Sequence, residues 1–148
     1  MKVLLIYCNR FEYNPTIKTL DDAEEVTEGE VFKDTQTAFI QVEEKDVENE
    51  KSVTKGLRNL LKWIDRKNEP KHIILHSFAH LSDSKATPEF TKYFLDKIEE
   101  WLKERDYSVS QTPFGYFLDL KIDAPGFSLA RVFKEKKKKK QLFNNKII

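Results

Sequence analysis

The sequence predicts an α+β domain with a largely antiparallel sheet packed against two main helices. Three observations carry this expectation. Two stretches place apolar residues at helical spacing, short apolar runs of strand length stand between them, and a late segment alternates apolar and polar residues. Strands that follow one another late in a chain favour antiparallel pairing and the α+β class.

Taken in order, residues 3–7 form an unbroken apolar run rich in β-formers, which predicts a central strand. Residues 9–29 are polar and acidic (Asp21, Asp22, Glu24, Glu25, Glu28) and predict a long excursion. A second strand follows over residues 37–42, and the charged stretch 43–51 predicts a solvated connection. Val53, Leu57, Leu60, Leu61 and Ile64 then fall on one helical face, closed by Asn68 and Pro70. Residues 72–78 return to a strand. Thr87 as N-cap and Pro88 at the first helical position open a second helix with Phe90, Phe94, Ile98, Trp101 and Leu102 as its buried stripe. Strands are expected over residues 107–112, 116–122 and 127–133, separated by Pro113-Phe114-Gly115 and by Asp123-Ala124-Pro125-Gly126. In the second of these strands the alternation places Tyr116, Leu118, Leu120 and Ile122 on one face.

The chain has 148 residues and a formal net charge of +1. That near-neutrality conceals two unlike parts: residues 132–148 carry +6 and the remainder −5. We therefore divide the chain into a folded body, residues 1–133, and a lysine-rich tail or linker, residues 134–148. A single cysteine, Cys8, excludes an internal disulfide and makes a reducing cytoplasm the expected setting. No apolar run approaches the ~20 residues that span a bilayer, so no membrane partner is expected. Four glycines, none spaced as a phosphate loop or dinucleotide fingerprint, exclude the usual nucleotide folds.

His72, His76 and His80 recur every four residues, but on a strand that spacing separates side chains by roughly 13 Å, too far for one ion. No metal and no cofactor is assigned. His80, just beyond a strand end, stands where binding groups gather. Cys8 lacks an adjacent base and reads as a buried hydrophobe. Lys136, Lys137, Lys138, Lys139 and Lys140 read either as a solvated end or as a phosphate-contacting arm.

Four segments then carry a resemblance: Met1-Lys2-Val3-Leu4-Leu5-Ile6, Ala38-Phe39-Ile40-Gln41-Val42-Glu43, Phe78-Ala79-His80-Leu81-Ser82 and Pro113-Phe114-Gly115-Tyr116. In order and approximate spacing they resemble the archaeal threonyl-tRNA synthetase N-terminal editing domain, whose fold is D-aminoacyl-tRNA deacylase-like. The resemblance implies hydrolysis of serine mischarged on threonine tRNA, with help from the terminal ribose hydroxyl of the tRNA and positioned water. It implies tRNA as partner, a synthetase catalytic domain in cis or trans, and a homodimer. His80 matches the family's pocket histidine, and Phe78, Ala79, Phe114, Gly115 and Tyr116 match its walls.

Two positions depart from the family pattern. Leu118 stands where the functional lysine belongs, and Arg131 stands at the acidic position of the family's later motif. The paired change suggests Arg131 as a replacement cation in the pocket. A non-catalytic tRNA-binding or scaffolding domain, and a deacylase for another aminoacyl-tRNA, are the alternative readings.

Overall fold

The computed structural model describes residues 1–136. Its longest strand, β1 (Lys2–Lys18), runs far past the five-residue strand expected from composition. It pairs antiparallel with β2 (Glu30–Gln41), from Lys2↔Gln41 to Tyr13↔Glu30. The first half of the stretch read as a polar excursion is therefore strand, and residues 19–29 are the loop that follows it. In that half the polar residues face solvent, while Phe11 and Tyr13 are buried. Composition hid this because the two aromatics are covered by a strand about a hundred residues further on.

The two helices form for the reasons the sequence supplies. In α2 (Glu50–Asn68) the apolar stripe Val53, Leu57, Leu61 and Ile64 is buried. The helix stops where Glu69 turns left-handed (φ 48°) and returns its N–H to the Asp65 carbonyl, just ahead of Pro70. In α3 (Pro88–Glu104) the Thr87 hydroxyl accepts the Phe90 N–H at 3.2 Å, and Pro88 occupies a position where no N–H is needed. A one-turn helix, α1 (Lys45–Glu48), precedes α2. The connection expected to be solvated is partly buried there: the Met1 ammonium lies 2.6 Å from Glu43 Oε1 and 2.9 Å from Asp46 Oδ1. Burial alone would push the Glu43 carboxyl up, but hydrogen bonds from the ammonium and from Ser82 hold it below the ordinary range.

The six strands form one mixed sheet in the order β4-β3-β2-β1-β5, with β6 also on β1. β3 (His72–Ser77) lies parallel to β2, and β4 (Val109–Gln111) parallel to β3. The second edge of β1 is shared: β6 (Arg131–Glu135) covers residues 2–6 and β5 (Tyr116–Asp123) covers residues 10–18. The class is α+β, as expected, but the late strands do not pair with one another. Each joins an early strand instead, and the β2-α2-β3-α3-β4 run is parallel because its strands are linked by helical crossovers. The last strand begins at Arg131, since residues 127–130 make a turn that ends with the Tyr7 N–H bonded to the Ala130 carbonyl at 2.8 Å.

Both helices cover one face of the sheet, where Val3, Leu5, Ala38, Ile40, Ile73 and Leu75 meet the two helical stripes. The other face gathers Cys8, Phe11, Tyr13, Phe39 and Ile74, with Leu118 and Leu120 of β5 packed against them. Cys8 and Phe11 are an odd step apart yet share this cluster. The change of phase falls where Asp34, opposite Asn9, adopts a left-handed φ of 50°. Burial pushes the Cys8 thiol up to about 11, so it is an inert part of this layer.

Because Phe11 is fully buried, Phe11→Ala is expected to cost about 3–5 kcal/mol in urea unfolding. A cost under about 0.5 kcal/mol, the value for an exposed position, would contradict the extended β1.

Candidate functional site

The carboxyl ends of the three parallel strands β2, β3 and β4 open together, and a cleft of about 440 Å³ lies there. This is where parallel strands, each followed by a crossover, leave room for a ligand. Ile40, Gln41 and Val42 come from the end of β2, residues 76–80 from β3 and the loop after it, and residues 112–118 from the segment joining β4 to β5. Phe78, Ala79, His80, Phe114, Gly115 and Tyr116 thus line one cavity. Leu118 lines it as well and adds apolar surface.

The loop after β3 is held by one side chain. Gln41, 2% exposed, accepts the N–H groups of Leu81 and Ser82 at 2.6 and 2.8 Å. Its amide nitrogen donates to the carbonyls of Ser82 and Ser84 at 2.8 and 2.9 Å. The Ser82 hydroxyl donates to Glu43 at 2.6 Å, and the Ala86 N–H reaches the Val42 carbonyl at 2.9 Å. His80 therefore projects from a loop whose backbone polar groups are satisfied by β2 and its continuation. The His80 ring meets the edge of Phe78 at 5.1 Å and is exposed at the rim.

The opposite wall is set by a glycine and a tyrosine. Gly115 has φ 82°, and a Cβ there would lie 2.9 Å from Ala23 Cβ, so both conformation and space require glycine. The Tyr116 hydroxyl donates to the Glu24 carbonyl at 2.7 Å and accepts the Val26 N–H at 3.0 Å, which fastens the 19–29 loop over this side. That hydroxyl is engaged within the protein, so Tyr116 contributes to the wall chiefly through its ring.

Three further lining residues escaped sequence reasoning. His76 is buried, at 7% exposure, and its Nδ1 lies 2.8 Å from the Thr112 hydroxyl. Burial pushes the imidazole down to about 4, so it is neutral at pH 7. Its position in β3 was visible, but the histidine series drew attention to spacing and away from the strand end. Thr112 closes the same end of β4. Lys85 also lines the cleft and makes no ion pair among the described residues. Its signal was its place in the short polar loop after β3.

Arg131 lies elsewhere. Its guanidinium donates to the Ala124 carbonyl at 3.3 Å on the outer edge of the sheet, and it is absent from the cleft lining. The suggestion that Arg131 replaces the family's lysine is corrected accordingly: Arg131 begins β6 opposite Ile6, whereas the cleft lies toward the other end of that pairing, where Lys2 meets Gln41. His72 is half-buried, its ring nitrogens lying 2.6 and 2.9 Å from the hydroxyls of Ser108 and Ser110 and its ring stacking on Phe32 at 4.8 Å. Among the described residues no three His, Cys, Asp or Glu side chains converge as metal ligands. Lys136 bonds through its N–H to the Met1 carbonyl at 2.8 Å, and its side chain lies over Gly56. Lys137, Lys138, Lys139 and Lys140 lie outside the described residues.

A mixed sheet with helices on one face and a cleft at its parallel end is the D-aminoacyl-tRNA deacylase-like architecture. The solved structure of the c-Myc DNA unwinding element binding protein shares it, with a TM-score of 0.59 at 12% identity, covering 93% of this chain and 100% of that one. Within this class the chain belongs to the Archaea-specific editing domain family of threonyl-tRNA synthetase, whose pattern matches residues 1–136. The threonine–tRNA ligases of Pyrococcus furiosus and Pyrococcus horikoshii are each 32% identical over 89% of this chain. That of Staphylothermus marinus is 33% identical over 90% of it. The chain spans about a fifth of their length, 22% in each case. The family is, by its description, an editing domain of threonyl-tRNA synthetase. No helix among the described residues is long and apolar enough to cross a membrane.

The neutral, buried His76 gives the fold a pH signature. Its folded-state pKa of about 4 is below the unfolded value near 6.5, so the unfolded chain binds more protons between them. Its contribution is present above pH 6.5 and declines as pH falls to about 4, amounting to roughly 3 kcal/mol at most. Urea unfolding across that window is expected to show a flatter pH dependence for His76→Phe than for the unmodified protein. Parallel curves would remove the burial argument.

Proposed function

We propose that the cleft hydrolyses the ester linking serine to threonine tRNA. The carrying observation is that two distant segments, one ending in His80 and the other beginning at Phe114, line a single cavity. Membership in the editing family supports the substrate class. The chemical need is clear: serine lacks one methyl of threonine, and a methyl gives only about 1–3 kcal/mol of discrimination, so a second site must remove the error. Apolar walls from Phe78, Phe114 and Leu118 exclude bulk water around the ester, while the tRNA ribose hydroxyl and a held water supply the reacting groups. In this scheme His80 positions the aminoacyl end at the rim, and Lys85 is the available cation on the lining.

A second reading, a tRNA-binding domain without turnover, is favoured by Leu118 at the lysine position and by Arg131 bonding to Ala124 outside the cleft. Deacylation of seryl-, threonyl- and D-aminoacyl-tRNA separates the readings. Turnover of seryl-tRNA alone is the expected result, turnover of another ester reassigns the substrate, and binding without turnover supports the scaffold. His80→Ala is expected to lower kcat/KM by roughly 10- to 100-fold with unfolding unchanged. Equal kinetics would remove His80 from the site.

The tail has its own test. β6 ends beside Lys2, and Lys2 also pairs with Gln41 at the cleft end of β2, so Lys136 leaves the sheet at the same end. Deleting residues 137–148 preserves β6 and removes five lysines. Affinity for tRNA should fall and depend less on salt, the slope changing by about 0.7–0.9 per lost phosphate contact. Identical salt series would make the lysines a solvated end.

A further inference from the structure

His76 combines features that its structural surroundings do not exhaust. It is a buried polar residue of the domain, yet it lines the cleft. Phe39 meets its ring edge-on at 4.8 Å and Phe78 lies 5.8 Å away, so the ring is held in an apolar slot. Thr112 engages Nδ1 at 2.8 Å and fixes the ring's rotation. Nε2 has no hydrogen-bond partner among the described residues. It is also absent from the buried polar atoms left without a partner, which are Thr54 Oγ1 and Arg58 Nε, so it is not sealed from the cavity. An imidazole nitrogen on the wall of a cavity incurs a cost when a ligand displaces water from it without replacing the hydrogen bond.

Resting on the deacylase reading of this cleft, we propose that His76 Nε2 recognises the side-chain hydroxyl of the aminoacyl group, making His76 a specificity-determining residue. The chemistry selects a hydroxyl over other groups. If the Thr112 hydroxyl donates to Nδ1, Nε2 carries the proton and donates; if Nδ1 donates to Thr112, Nε2 accepts. A carbonyl satisfies only the first arrangement and an ammonium only the second, whereas a hydroxyl satisfies either. The surrounding slot of Phe39 and Phe78 offers little else to a polar side chain. A site built to hydrogen-bond a hydroxyl rejects analogues without one far more strongly than an apolar pocket distinguishes a methyl. His76 would thus favour serine over alanine, a distinction that size exclusion alone makes poorly. Threonine retains the hydroxyl, so its rejection falls to the walls.

The test is a binding cycle on the full chain, which needs no turnover. Titration calorimetry with seryl- and alanyl-3′-amino-3′-deoxyadenosine, non-hydrolysable amides differing in one hydroxyl, should show at least tenfold tighter binding of the seryl compound to the unmodified protein. His76→Phe keeps the ring and removes both nitrogens, and it should bring the ratio close to one. His76→Gln, which returns a hydrogen-bonding group near Nε2, should recover part of it. If His76→Phe does not fold, Thr112→Val keeps His76 while releasing its ring and should reduce the ratio. Equal binding of both compounds by the unmodified protein, binding of neither, or a ratio unchanged by these substitutions overturns the assignment. A seryl analogue lacking the ribose 2′-hydroxyl guards against the other hydroxyl source: if His76→Phe is coupled to that group alone, the proposal fails. Failure of the deacylase reading is registered separately, as no hydrolysis of seryl-tRNA by the unmodified protein.

Discussion

β1 must find hydrogen-bond partners along both edges for 17 residues, and the arrangement of the domain follows from how it does so. β2 pairs with one edge from Lys2 to Tyr13 in a single antiparallel register. No single strand satisfies the other: β6 takes the first part and β5 the second. The N-terminal and C-terminal parts of the chain are thereby joined in one sheet. Since β2 is fixed by β1, the parallel partners β3 and β4 are fixed in turn, and their ends define the cleft. The wall from residues 113–118 must then travel from β4 at one edge to β5 at the other. Its residues line the cavity together with Gln41, Val42 and the loop after β3.

The cleft's polar groups divide into those that shape it and those left for a ligand. Gln41 and the Tyr116 hydroxyl are fully engaged with backbone groups of flanking loops. His76 retains unused capacity within mostly apolar surroundings, and His80 and Lys85 retain theirs at the exposed rim. Apolar surroundings raise the worth of each remaining polar contact, because competing water is scarce. Apolar Leu118 strengthens that effect where a charged residue would have weakened it.

Both helices and most strand positions were legible because their signals are local: a cap, a proline, a 3.6-residue or two-residue period. β1 beyond Tyr7 was not, since Phe11 and Tyr13 acquire their burial from β5, and no nearby residue records that. The buried carboxylates Glu43 and Asp46 were similarly illegible, because their partner is the amino group of Met1, which no side-chain pattern records. At the site, the resemblance identified six wall residues that the cleft brings together, but a sequence pattern could not say which way Arg131 points. His76 and Lys85 were missed for the complementary reason. Each is an ordinary residue type whose chemistry becomes apparent only when its surroundings are known.

Gln41 recognises only main-chain atoms of the loop at Leu81, Ser82 and Ser84. The loop's path is therefore encoded on β2, at a position outside the loop itself. Asp83 and Lys85 can then be exchanged in evolution without redrawing that path, so the charge presented at the mouth of the cleft can drift while its outline is inherited unchanged. Members of a lineage built this way would diverge first in what the cleft attracts and only later in the shape of what it admits.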